Sequence, residues 1–320
     1  MRLFEDEDFE QAMLRAAAQF GVSEQFVEKD YYVTEILRIV AQQLGGKVMF
    51  KGGTSLSKGW GLITRFSEDI DLFVNPDGFE PRPGKNKLDR ILKELSLAVE
   101  RHPALTWLRD EGKTISGRGR EDLFGYETRF ADLPGIRAAV RLEPGIQSGS
   151  FPTETVPITS LVAQHLAEQG AADFAAAEDL AGFEMALLHF RRTFVEKMFA
   201  LHGKVIRLQE EGQALERDAR HYSDLYVLAD QHEVRAMLAS PEYEEIRRDY
   251  DAKSKAFYPD SYCPPAELSF ANSPALYPAE ALRPQLAADY EEQCQLLFPD
   301  ENYPSFDEVL DRFAEVRALL

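Results

Sequence analysis

The stretch "KGGTSLSKGWGLITRFSEDIDLFV" (residues 51–74) places a glycine pair and two hydroxyl residues ahead of two carboxylates. "KVMF" before it and "DIDLFV" at its end are typical of strands, and "GGTSLSKGW" of a turn entering a helix. Side chains two residues apart in a strand point to the same side, so Asp69 and Asp71 share a face while Ile70, Leu72 and Val74 pack into the core. Two neighbouring buried carboxylates repel each other unless a cation lies between them. We therefore expect a divalent metal such as Mg²⁺, which binds one or two carboxylates together with phosphate oxygens.

The glycine turn ahead of this strand is suited to bind phosphate. Gly52 and Gly53 let the backbone approach an anion closely, while Thr54, Ser55 and the N-terminus of the following helix supply hydrogen-bond donors. Taken alone, "GGTS" could be an ordinary strand-to-helix turn, and "DID" could mark the solvated face of a strand. The order of glycine turn, hydroxyls, helix and D-x-D strand favours a combined phosphate and metal site.

The pattern around this stretch predicts an α+β protein of two domains. The first 45 residues are typical of two helices, the second capped by Ser23, and a further helix is predicted from about Leu88 to Arg101. Two β-type runs follow, "DLFGYETRF" and "GIRAAVRLE". After about residue 158 the pattern is helical and includes "FEMALLHFRRTFVEKMFALHGKVIRLQEEG". We predict a mixed-sheet domain with N-terminal helices over residues 1–160 and a mostly helical domain over residues 161–320.

The composition is that of a soluble globular protein, with 320 residues, 44% hydrophobic and 28% charged. No apolar stretch approaches membrane-spanning length, and the acidic start "MRLFEDEDFEQ" is unlike a signal peptide, so we expect a cytoplasmic protein. The two cysteines, Cys263 and Cys294, have no metal-binding spacing. A net charge of −19 argues against a general basic surface for nucleic acid. Residues 51–120 nevertheless carry 13 Lys and Arg against 10 Asp and Glu, which suits a confined site for an anion.

Two later segments carry charged side chains at helical spacing. In "TFVEKMFALHGK", Lys197 and Lys204 fall on one face, which could be the solvated face of an ordinary amphipathic helix. In "RDARHYSDLYVL", residues of helical spacing share a face: Arg217, Arg220, His221 and Asp224. His221 has no second histidine at a metal-binding spacing. It could instead bind Asp224 or a phosphate, and Arg220 could pair with Asp224 or contact phosphate.

Three motifs together resemble the AbiEii/AbiGii type IV toxins, which include the MenT toxins and belong to the DNA polymerase β-like nucleotidyltransferase superfamily. They are "GGTSLSK…RFSEDIDL", "TFVEKMFALHGK" and "RHYSDLYVL", in the order expected for the family. The resemblance covers about residues 25 to 230, and no motif is matched in the acidic tail after residue 240. It implies a nucleotidyltransferase-fold mixed sheet flanked by helices, followed by a helical domain that completes the active site.

The resemblance also implies roles for single residues. Asp69 and Asp71 match the metal-binding acids, and Ser67 stands where the family has a small hydroxyl residue. Glu143 is the expected third carboxylate, a metal ligand or general base, with a surface role or the nearby Glu127 and Asp132 left open. Lys197 would grip the triphosphate with Lys204 as a possible helper, and Asp224 would orient Lys197 or the nucleotide.

The function implied is that of a Mg²⁺-dependent nucleotidyltransferase that binds an NTP at the domain junction. One or two Mg²⁺ ions would assist transfer of NMP to an acceptor, the tRNA 3′ end, with release of pyrophosphate and with a cognate antitoxin as partner. The residues expected to bind the nucleotide are Gly52, Gly53, Thr54, Ser55, Ser67, Lys197 and Arg220. The alternatives are transfer to a small acceptor, as in the antibiotic nucleotidyltransferases, or a catalytically silent nucleotide- or partner-binding module.

Overall fold

The computed structural model describes residues 2–63, 65, 69–115, 117–131, 133, 136–170, 177–298 and 302–320. The chain divides into two compact units that are each discontinuous in sequence. The first comprises Met1–Gly59, Ser67–Ile146 and Thr153–Leu187, and the second Trp60–Phe66, Gln147–Pro152 and Leu188–Leu320. Residues 161–187, expected in the second domain, thus belong to the first unit, because they supply a helix and a strand to its layers.

A mixed sheet forms the centre of the first unit. Its described strands are β1 (Val48–Lys51), β2 (Asp69–Val74), β3 (Thr106–Trp107), β4 (Lys113–Ile115), β5 (Gly119–Gly125), β6 (Ala139–Gly145), β7 (Thr153–Ile158) and β8 (Phe183–Leu188). They are ordered β3-β5-β6-β2-β1-β8-β7, with β4 paired to β5. β2 runs antiparallel to β1 and parallel to β6, and β1 runs parallel to β8.

In the part of the chain that the structure describes, five α-helices accompany this sheet: α1 (Phe9–Phe20), α2 (Glu24–Leu44), α3 (Gly52–Lys58), α4 (Lys85–Glu100) and α5 (Leu161–Glu168). α2 contacts β1 and β6, α4 contacts β5 and β6, and α1 and α5 pack against α2. The apolar side chains Phe50, Ile70 and Leu142 lie on neighbouring strands and are fully buried. Their alternation with charged residues gives β2 and β6 one apolar face and one polar face.

The second unit is helical: α6 (Phe190–Glu211), α7 (His221–Ala229), α8 (His232–Leu238), α9 (Pro241–Phe257), α10 (Arg283–Leu297) and α11 (Phe306–Val316). α6 contacts α7, α8 and α9, and α11 packs on α7. Tyr222 of α7 is fully buried and meets the rings of Tyr290, Phe306 and Phe313. Among the described residues, no helix is long and apolar enough to span a membrane.

The helices predicted before residue 45 are confirmed, and the Ser23 side chain accepts a hydrogen bond from the Phe26 amide as the expected N-cap. The continuous helix predicted over "FEMALLHF…" is wrong in its first part. Phe183–Leu188 is a strand whose Leu187 is in register with Phe50 of β1, and the helix begins only at Phe190. A short apolar run between two sheet neighbours satisfies strand and helix patterns equally, so only its partner strand decides the outcome.

Candidate functional site

The polar face of β2 and β6 collects three carboxylates. Asp69 is in register with Arg141 and Asp71 with Glu143, so these four side chains point to the same side of the sheet. Asp69 is buried at 6% exposure, while Asp71 and Glu143 are partly exposed. We call Asp69, Asp71 and Glu143 the acid face. The parallel pairing of β2 with β6 thus brings together side chains that are far apart in sequence.

Among the described residues, two basic side chains adjoin the acid face, one from β1 and one from β6 itself. Lys51, the last residue of β1, is in register with Asp71. Arg141 Nε lies 3.5 Å from Asp69 Oδ1 and 3.9 Å from Glu143 Oε1. Positively charged side chains of the protein therefore lie beside the carboxylate pair. The sequence alone predicted only a bound cation at this place.

The charge of the acid face is visible in the pKa of Glu143. Burial, followed by the charges of Asp71, Asp69 and Glu121, raises this pKa to about 7, although Arg141 acts in the opposite direction. Clustered carboxylates of this kind are relieved by a cation. Glu127, an alternative third carboxylate, follows β5 and acts electrostatically on Tyr32, and Asp132 lies outside the described residues.

The donor chemistry of the acid face fits Mg²⁺, which takes hard oxygen ligands and needs only one or two carboxylates when phosphate oxygens complete its shell. Within the described ranges, no group of three or more His, Cys, Asp and Glu residues is arranged to hold a metal ion by itself. The acid face therefore fits a Mg²⁺ ion that the aspartate pair and substrate oxygens would bind together, with Glu143 beside the pair.

Gly52 brings the backbone of the glycine turn directly against Asp71. It has a φ of +77°, and a Cβ at this position would stand 2.1 Å from Asp71 Oδ2. Both the left-handed backbone and the missing side chain are therefore required here. The first glycine of the "GG" pair is explained by this close approach.

The hydroxyls of the same turn serve the protein backbone. Thr54 Oγ1 donates to the carbonyl oxygen of Asp69 at 2.6 Å, and Ser55 Oγ donates to the carbonyl oxygen of Gly52 at 2.9 Å. Both residues are buried, whereas Gly53 is partly exposed. The Thr54 bond ties α3 to β2 at the first aspartate. Ser67, expected beside the aspartates, lies outside the described residues.

A second set of charged side chains is buried in the helical unit. Arg65 binds Asp224 through two hydrogen bonds, Nε to Oδ1 at 2.6 Å and Nη2 to Oδ2 at 2.7 Å. Lys197 Nζ lies 2.8 Å from Asp224 Oδ2 and 3.1 Å from His221 Nδ1. We call Arg65, Lys197, His221 and Asp224 the Asp224 cluster. Lys197 is 6% exposed and Asp224 fully buried, so Lys197 does not lie on a solvated helix face.

Opposing effects fix the charges in the Asp224 cluster. Burial would raise the pKa of Asp224, but Arg65 and Lys197 outweigh it and hold that pKa well below its usual range. Burial lowers the pKa of Lys197, opposed by Asp224 and reinforced by Arg65. Burial and then the Lys197 charge lower the pKa of His221 to about 4. His221 is therefore neutral at pH 7, and because an ammonium can only donate, its Nδ1 accepts from Lys197.

The other predicted basic residues lie at the edge of this cluster. Lys204 is 41% exposed at its side chain and pairs with Asp218 at 2.5 Å, and Arg220 lowers the pKa values of Asp218 and Lys197 electrostatically. The single helical face predicted for 217–224 is wrong. Glu216–Arg220 forms a 3₁₀ turn and α7 starts at His221, so the α-helical spacing is interrupted.

Comparison with solved structures supports the class of protein that this fold defines. The chain is similar to the nucleotidyltransferase toxin MenT4 from Mycobacterium tuberculosis, with a TM-score of 0.59, 16% sequence identity and coverage of 96% of this chain and 88% of that chain. The common feature is the fold, an α+β nucleotidyltransferase architecture. No curated protein sequence matches the chain.

The family follows from the sequence match. The model of the AbiEii nucleotidyl transferase toxins of type IV toxin–antitoxin systems matches residues 35–312, most of the chain. The protein belongs to this family and is a nucleotidyltransferase. The resemblance seen in three short motifs is thereby confirmed, and it extends into the acidic tail where no motif was recognised.

Proposed function

We propose that this toxin is a Mg²⁺-dependent enzyme that transfers NMP from an NTP to the 3′ end of tRNA, releasing pyrophosphate. The observation that carries the proposal is the acid face, on which parallel pairing of β2 and β6 aligns Asp71 with Glu143 next to Asp69. In a chain that belongs to a nucleotidyltransferase toxin family, this arrangement is suited to metal-assisted transfer to a hydroxyl.

Asp69 and Asp71 are proposed to hold the metal, which would stabilise the charge that develops on the transferred phosphoryl group. Glu143 would act as a further ligand or as the base that accepts the proton of the acceptor hydroxyl. Gly52 and Gly53 would bring backbone amides to the phosphates. Because the Thr54 and Ser55 hydroxyls donate to carbonyl oxygens, their contribution would come from their amides or from rearranged hydroxyls.

Lys197 is proposed to act on the nucleotide phosphates, with Asp224 fixing its position and charge. The support is its family motif together with its contacts: an ammonium held at 2.8 Å by a buried carboxylate that Arg65 also holds. A compact, fixed cation is the type of group used at phosphate sites. Ser67 is a proposed nucleotide contact by its family position. Arg220, for which pairing with Asp224 is the alternative, is a second proposed contact.

The tRNA acceptor is the most specific part of the proposal, and the net charge of −19 affects how strongly the protein should bind RNA. Phosphate contacts dominate nucleic-acid affinity, so an acidic chain should bind RNA modestly and lose affinity steeply with salt. The toxin family implies a cognate antitoxin as a further partner.

The test is to incubate the protein with each α-labelled NTP, Mg²⁺ and total tRNA, and to compare wild type with Asp69→Ala and Asp71→Asn. Asp77→Asn is the matched control, because Asp77 is an exposed carboxylate paired with Arg82 on the same unit. We expect labelled tRNA with wild type and the control, and none with the other two variants.

The remaining outcomes separate the alternatives. Label appearing in small molecules but not in RNA would establish the small-acceptor enzyme in place of the tRNA enzyme. No transfer to any acceptor with any NTP would favour a silent binding module. Labelling unaffected by Asp69→Ala would refute the role of the acid face.

A further inference from the structure

Arg141 lies among three carboxylates of the first unit without bonding closely to any of them. Its guanidinium is 3.5 Å from Asp69, 3.6 Å from Glu121 and 3.9 Å from Glu143, measured between the nearest charged atoms. These distances exceed those of hydrogen bonds with ionised partners, which are about 2.7–2.9 Å. The Nε of Arg141 is buried and has no hydrogen-bond partner among the residues that the structure describes.

Other arginines of the same unit behave differently. Arg120 reaches Asp122 with hydrogen bonds of 2.9 Å, and Arg137 reaches Glu111 with two of 2.7 Å. Arg141 lies within 4 Å of three carboxylates, yet its contacts are longer. It is thus held by the summed attraction of the acid face and Glu121, and a buried N–H left without an acceptor costs free energy.

We propose that Arg141 is an internal counter-cation that competes with a divalent metal ion for Asp69 and Glu143. This inference rests on the metal site of the proposed function. Mg²⁺ carries two charges and binds oxygens at about 2.0–2.1 Å, so it neutralises a carboxylate far more effectively than a delocalised guanidinium at 3.5 Å. Binding of the ion requires Arg141 to give up its contacts, and the affinity for free metal is lowered by the strength of those contacts.

The experiment titrates the full-length protein with Mn²⁺ alone and measures binding by calorimetry, so no nucleotide or turnover is involved. Arg141→Gln should bind Mn²⁺ about fivefold more tightly than wild type, since partly exposed ion pairs contribute up to about 1 kcal/mol. Arg141→Lys keeps the charge and should bind closer to wild type. Arg137→Gln, which removes the same charge from an exposed pair, should leave the affinity unchanged.

A further substitution locates the bound ion. Asp69→Asn in the Arg141→Gln background should abolish the tightened binding. The side chain of Arg141 is 38% exposed, and Arg141→Met provides a second neutral variant should Arg141→Gln not fold.

Equal or weaker Mn²⁺ binding by the neutral variants would overturn the inference, as would equal tightening by Arg137→Gln or no Mn²⁺ binding by any variant. The proposed function is judged separately by transfer of label from NTP. Tighter Mn²⁺ binding in a protein that transfers no nucleotide would therefore support the competition while refuting the activity.

Discussion

Asp224→Asn is expected to destabilise the protein strongly, because it removes the carboxylate that Arg65 and Lys197 share. The side chains of Asp224, Arg65 and Lys197 are 0%, 1% and 8% exposed, so both cations would stay buried with that charge removed. Breaking a buried ion pair by removing one partner costs about 3–5 kcal/mol. We expect a loss in that range in the free energy of unfolding at pH 7, measured by urea denaturation.

Three further variants serve as controls for the measured free energy of unfolding. Glu111→Gln breaks an exposed pair with Arg137 and should lower the stability far less than Asp224→Asn does. Lys197→Met leaves the two-bond contact between Arg65 and Asp224 in place and should cost less than Asp224→Asn. The double variant Asp224→Asn/Lys197→Met removes one uncompensated cation, so it should recover part of the stability lost in Asp224→Asn.

A loss below about 1 kcal/mol for Asp224→Asn, or a double variant no more stable than Asp224→Asn, would refute this reasoning. Either result would mean that solvent or another group neutralises Arg65 and Lys197 when the carboxylate is absent.

Two other predictions concern the first unit. Burial and neighbouring charges raise the pKa of Glu143 from 4.5 to about 7. Between these pH values the folded chain holds a proton that the unfolded chain has released, so the stability should fall as the pH rises through this range. In EDTA at pH 8, Glu143→Gln should therefore be more stable than wild type by up to about 3 kcal/mol, and the difference should disappear near pH 4.5. Urea denaturation at both pH values measures this difference. A difference in stability that does not depend on pH would contradict the prediction. Gly52→Ala should cost at least about 1–2 kcal/mol from its φ of +77° alone and should displace Asp71 and abolish transfer. Gly46→Ala, where a Cβ meets nothing within 4 Å, should leave stability and transfer nearly unchanged in the same assays.

The D-x-D strand and the glycine turn could be predicted from sequence because their signals are local. Alternation places Asp69 and Asp71 on one face, and a glycine pair between a strand and a helix marks a close approach. The same alternation rule places Arg141 and Glu143 together on β6. What sequence could not supply was the register of β6 against β2, which sets Arg141 beside Asp69.

The missed features depend on distant partners. β8 is mostly apolar apart from Glu184 and became distinguishable from the start of α6 only through its pairing with β1. Arg65 stands in the quoted motif stretch, but its partner Asp224 is 159 residues away. The 3₁₀ turn before α7 likewise escaped detection, because side chains at spacings of three and four fit an uninterrupted α-helix equally well.

The central claim is that the acid face catalyses nucleotidyl transfer, and the position of the label in the NTP tests it most directly. With tRNA as acceptor and Mg²⁺ present, wild type should transfer label from an α-³²P NTP and none from the γ-³²P form, with pyrophosphate released in equal amount. Asp71→Asn should transfer neither. Transfer of the γ-label, or equal α-label transfer by Asp71→Asn, would contradict the account.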